Sequence, residues 1–263
     1  MPLIVNLSTI HTLHPIKKSV DAFAQLCNDY SDGSLSCCPT FFRSWSNYAW
    51  VMYQYQTHDR SLIQPYRLGA VTTPQFLSQL QGLFPFLNDL SNDQDSLRST
   101  DTAVSLLEDA WNASIDLDQT RVGRLATLMN QGEPIYLISN TNELNVRRIL
   151  QLLRQHYPEI QWKKGVDISV QENKEPIEIA PNIFLCLSYR FQLFKNRSDT
   201  PNSTTSLIQH LVNGHLAESK EHIRVISQFP GDLAEASRLG IAASQIFPAE
   251  QFYNEDALKI KKA

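Results

Sequence analysis

The chain has 263 residues, of which 42% are hydrophobic and 19% charged. That composition suits a soluble globular protein with one good core, or a core domain and a smaller companion. A net charge of -4 with no basic stripe argues against nucleic acid as a partner. No apolar run approaches the roughly 18 residues that span a bilayer, so no membrane is expected as a partner. The first residues lack the basic flank, apolar stretch and cleavage site of a secretory signal, so a cytoplasmic location is expected. The four cysteines, Cys27, Cys37, Cys38 and Cys186, show no metal-ligand spacing and read as reduced structural residues.

In chain order, Leu3–Ser8 is a buried strand running into a polar turn. Residues 15–115 then read as helices: "SVDAFAQLCNDY", "TFFRSWSNYAWVMYQYQ", "TPQFLSQLQGLFPFL" and "DTAVSLLEDAWNASI", with starts expected at Thr73-Pro74 and Asp101. "LNDLSNDQDSLRSTD" reads as an exposed polar loop. The aromatic run contributes Phe41, Phe42, Trp45, Tyr48, Trp50, Tyr53 and Tyr55, too many for one stripe; most are expected in the core and any exposed remainder would suit a protein partner. Three more strands follow, Ile135–Ser139, Ile183–Ser188 and Ile223–Ser227, each nearly continuous in apolar residues, as strands covered on both faces are. Helices come between and after them. Val146, Ile149, Leu150 and Leu153 share one helical face; Leu207, Ile208, Leu211 and Val212 share another, closed by Gly214. In "GDLAEASRLG", Asp232 and Glu235 have capping-box spacing and Gly240 is a helix stop.

This alternation implies an α/β class: a doubly wound parallel-sheet core, residues 1–14 and 116–263, with an inserted α-helical domain at 15–115. Working groups in such sheets lie beyond the carboxyl ends of the strands, where all four strands end in serine.

Five segments in order carry a resemblance: "GAVTTPQFLSQL", "LLEDAWNASI", "YLISNTNELNVRRIL", "FLCLSYRFQLFKN" and "IRVISQFPGDLAEASRLGIAASQIF". Together they resemble the haloacid dehalogenase (HAD) superfamily, in the branch whose helical cap is inserted after the first strand. The resemblance implies a Rossmann-like core and an aspartate nucleophile ending the first strand. It also implies a second acid two residues on, a hydroxyl and a lysine that hold the transferred group, and aspartates after the fourth strand that hold Mg²⁺. At those positions this chain has Asn6, Ser8, and the Ser227-Gln228 pair. Ser139, followed by Asn140, keeps the hydroxyl, and Lys195 keeps the lysine; Asn196 stands where a proline is usual and Gln192 where a glycine is.

A carboxamide is a far weaker nucleophile than a carboxylate, and Mg²⁺ requires hard, preferably anionic oxygens. The expectation is therefore a HAD-like protein with no catalytic residues and no metal or other cofactor, the magnesium of active family members being lost. It would bind a protein partner, through the aromatic cap, or a small anion held by Ser139, Asn140 and Lys195. The alternatives are that Asn6, Ser8, Ser227 and Gln228 bond together and shut the old site, or that a divergent hydrolase works through other groups such as Ser8 with His11. A third is an exported bacterial effector with "NEDALKIKKA" as its signal, against which stands an ordinary chain end.

Overall fold

The computed structural model describes residues 1–10, 15–30, 40–84, 87, 96–169, 174–197 and 205–253. His11, Cys37, Cys38, most of the polar loop and the terminal "NEDALKIKKA" lie outside the described residues, as do the side chains of Phe41, Phe42 and Trp45. The chain divides into two units, Met1–His11 with Leu117–Ala263, and Thr12–Asp116.

The first unit holds a six-stranded sheet in the order β3-β4-β2-β1-β5-β6. The strands are β1 Leu3–Asn6, β2 Ile135–Ser139, β3 Ile177–Ala180, β4 Ile183–Leu187, β5 Arg224–Ser227 and β6 Ile246–Pro248. All pairings are parallel except β3 with β4. The four apolar runs form the centre, where both faces are covered and continuous hydrophobicity is tolerated. The sequence reading did not find β3 and β6. They are short edge strands, and β3 returns to β4 through Pro181 and Asn182, the latter at φ 61, a left-handed conformation asparagine tolerates. β1 also stops sooner than expected: from Leu7 the chain turns into a short 3-10 helix through Ile10.

One sheet face carries Ile4, Ile138, Cys186 and Val225 against Leu207, Leu211, Val212 and Ala236. The last four come from the Leu207–His210 helix, which widens over Leu211–His215, and from the Pro230–Arg238 helix. Gly214 does not end the first of these; it lies within the wider turn. Gly240, at φ 83, does end the second, as expected. The Glu143–His156 helix begins at Asn142, whose side chain accepts from the Asn145 N–H, and buries all four of its predicted apolar residues.

The second unit is helical, with Pro15–Tyr30, Thr40–His58, Thr73–Gly82 and Ser96–Asn112 as its long helices. Asp101, expected as a helix start, lies inside the last of these. Thr72 precedes the third and its N–H is held by the Gln75 carboxamide oxygen at 3.0 Å, and the helix starts at Thr73, as expected. The buried aromatics differ from those expected. Phe76 stacks on Tyr66 at 4.1 Å and meets the edge of Trp111 at 4.7 Å, while Phe23 stacks on Phe84 at 5.0 Å. From the aromatic run, Tyr48, Trp50 and Tyr55 are only half-buried and Tyr53 is 63% exposed. No helix among the described residues is long and apolar enough to cross a membrane.

Candidate functional site

Because β1 and β5 are in register (Val5 opposite Ile226), their last residues, Asn6 and Ser227, come side by side at the carboxyl end of the sheet. Both are buried and they are bonded, the Asn6 amide nitrogen donating to Ser227 Oγ at 3.1 Å. The same nitrogen donates at 2.6 Å to Oδ2 of Asp232. Ser227 Oγ donates to that oxygen at 2.7 Å and accepts from the Phe229 N–H at 3.1 Å. On its other side Asn6 presents its carbonyl oxygen to Ser8, which donates from its backbone N–H at 3.0 Å and its hydroxyl at 2.6 Å. The orientation of the carboxamide is thereby set: donors face its oxygen, acceptors face its nitrogen.

Asp232 was missed as a site residue. Its spacing to Glu235 suggested a helix cap, but Phe229 occupies the cap position of the Pro230–Arg238 helix and no side-chain cap bond forms. Asp232 instead turns inward from the first turn and is completely buried. The signal available in the sequence was an acid close after the end of β5, where a parallel sheet gathers its working groups. A carboxylate buried to this degree must be matched by donors or a cation. Asp232 has both. Oδ1 accepts from the Asn196 amide at 2.6 Å, and Lys195 Nζ lies 3.4 Å from Oδ2. Asn196, the residue after Lys195, supplies this donor.

Lys195 is itself 5% exposed. Its ammonium sits 4.3 Å from the centre of the Phe229 ring, which adds a cation–π attraction. Its backbone N–H donates to Asn140 Oδ1 at 2.7 Å. Asn140 therefore meets Lys195 through an acceptor bonded to the main chain. Ser139 is buried at the end of β2. Ser188, the serine after β4, accepts from the Thr141 N–H at 3.1 Å and donates to the Thr141 carbonyl at 3.2 Å. Gln228 is exposed, unlike Asn6 and Ser227. Gln192 closes the short Ser188–Phe191 helix at φ 56. That is a left-handed position where glycine would be unstrained.

The magnesium of active HAD enzymes finds little here to hold it. The cluster offers one carboxylate, and both its oxygens are already occupied by N–H and O–H donors and by an ammonium. The Asn6 oxygen is occupied by two donors from Ser8. Among the described residues, no group of three His, Cys, Asp or Glu side chains is placed to hold a metal ion. Chemically, the arrangement is a compensated ion pair wrapped in amides and hydroxyls.

No family model matches the chain, and no curated protein matches it. Solved structures do. The HAD family enzyme bt-2542 of Bacteroides thetaiotaomicron is similar over 94% of this chain and 91% of its own, at 13% identity and a TM-score of 0.56. Its magnesium complex gives 12% identity and a TM-score of 0.52 over the same shares. Its complex with magnesium and inorganic phosphate gives 11% and 0.51 over 94% and 92%. The likeness and the mostly parallel six-stranded sheet agree: this chain has the HAD-like α/β fold.

Proposed function

We propose that this chain is a HAD-like protein that acts by binding, its reaction centre having become a structural hydrogen-bond cluster. One observation supports the reading above others: the atom that faces Asp232 from the end of β1 is an amide nitrogen donating a 2.6 Å hydrogen bond. An attacking carboxylate at that position would set two anions against each other and would need a cation between them. Here the nitrogen removes that need, and Lys195 supplies the charge that Asp232 requires. The cluster is consistent internally without metal. Because the Lys195 charge is matched inside the protein, the reading leans toward a protein partner over an anion captured at Ser139, Asn140 and Lys195. The exposed ring of Tyr53 in the helical unit is a suitable contact residue.

The test is an assay of generic phosphate esters with and without Mg²⁺, on the wild type and on the triple variant Asn6→Asp, Ser8→Asp, Ser227→Asp. The wild type is expected at background under both conditions, with magnesium binding measurable by calorimetry only in the variant. Wild-type turnover well above background overturns the reading and points to a hydrolase working through other groups.

A further inference from the structure

Next to the buried cluster, on the same helix and one turn on from Asp232, Glu235 gathers a second set of charges. Its carboxylate is 4% exposed and accepts from Ser206 Oγ at 2.5 Å. Arg238 grips it with two nitrogens, Nε to Oε2 at 3.0 Å and a terminal nitrogen to Oε1 at 2.7 Å. This fork and the serine leave Glu235 well satisfied.

Arg197 is not so well placed. Its Nε is 4.0 Å from Glu235 Oε1, beyond hydrogen-bond length, and that nitrogen is shielded from solvent without a hydrogen-bond partner. One of its terminal nitrogens donates to Gln209 Oε1 at 2.8 Å, and a terminal nitrogen of Arg238 donates to the same oxygen at 3.2 Å. Two guanidinium groups thus converge on one neutral carboxamide oxygen, and among the described residues Glu235 is the one carboxylate paired with them. Their side chains remain 39% and 42% exposed, so a solute can reach them. Guanidinium forks match the oxygens of phosphate, and bonds to an ion are stronger than bonds to a neutral acceptor. The oxygen between these two arginines is neutral, and so a weaker acceptor for them than an anion would be.

We propose that Arg197 and Arg238 form a binding site for a phosphoryl group, which displaces the Gln209 carboxamide and bridges the two guanidinium groups. The ligand class is inorganic phosphate or a phosphate monoester. Ser206 and Glu235 hold Arg238 in position, while Arg197, hydrogen-bonded to Gln209 and only loosely paired with Glu235, swings onto the ligand. The site is distinct from the cluster around Asn6 and does not require Lys195.

The probe is inorganic phosphate, titrated into the full chain at constant ionic strength, with the arginine side-chain N–H resonances and calorimetry as readouts. Saturable shifts confined to two arginines are expected. Arg197→Gln should weaken binding about tenfold, the loss of one charged hydrogen-bonding partner. Gln209→Glu, which is isosteric, places a carboxylate between the arginines and should abolish phosphate binding while raising the Tm. Titrating a phosphate monoester in parallel separates the free ion from an esterified group, since tighter ester binding assigns the site to a larger ligand. A response equal to that of chloride, or a phosphate affinity unchanged in both variants, overturns the proposal.

Discussion

Lys195 Nζ lies 3.4 Å from Asp232 Oδ2, with the ammonium side chain almost buried and the carboxylate completely so. In that setting each charge depends on the other. Removing one partner of a buried pair costs about 3–5 kcal/mol, whereas replacing both is far milder. Asp232→Asn is expected to lower stability by about that amount in urea unfolding, and the double variant Asp232→Asn, Lys195→Met to recover most of it. A loss in the double variant equal to that in the single one would show that the hydrogen bonds to Asp232, and not its charge, are what matter.

Asn6→Asp tests the same cluster from the opposite side. It would place a carboxylate oxygen where an amide nitrogen now donates across 2.6 Å. Two like charges about 4 Å apart repel by roughly 4 kcal/mol at an effective dielectric near 20. The variant should melt well below the wild type in the presence of a chelator and be rescued by Mg²⁺. The wild type should show no such dependence. Thermal melts at matched ionic strength read both outcomes.

The acid limb of the stability curve should carry the signature of Glu235. Burial opposes its charge, but hydrogen bonds from Arg238 and Ser206 and the charges of Arg238 and Arg197 more than offset this, and its carboxyl is held below the ordinary value of 4.5. A group lowered on folding contributes stability that is fully present above its unfolded pKa and is lost as the pH falls through its folded value. The contribution should therefore be intact above about pH 4.5 and disappear below it. Glu235→Gln should flatten that part of the curve, measured by unfolding at a series of acid pH values.

Gln192 offers a gain. It is exposed and held at φ 56, where a side chain is strained and glycine is not. Gln192→Gly is expected to raise stability by up to about 1 kcal/mol, and Gln192→Val, with its branched Cβ, to lower it. Equal melting temperatures for the three proteins would show that the turn adapts without cost.

Buried thiols complete the set. Burial pushes Cys27 up to about 11 and raises Cys186 further, so neither is expected to form thiolate near neutral pH. In a Cys37→Ser, Cys38→Ser background, a thiol reagent should remain unreacted until the protein unfolds.

The central strands and the helix from Glu143 to His156 could be read directly from the chain, as could the amide and hydroxyl side chains at positions 6, 8 and 227. Continuous apolar runs and a 3.6-residue period are local properties, and a residue type is visible as a letter. The edge strands were not legible, because three or four residues with one side exposed carry too little pattern. Asp232 shows the deeper limit. Its neighbours in sequence describe a helix start, but the residue that gives it a role, Asn6, is 226 positions away. Only the folding of β1 beside β5 makes them adjacent, and only then does it follow that Lys195 has a carboxylate beneath it. Local chemistry is written in the order of residues; which charges meet is decided by the tertiary structure, since electrostatic pairing depends on distance in space and not along the chain.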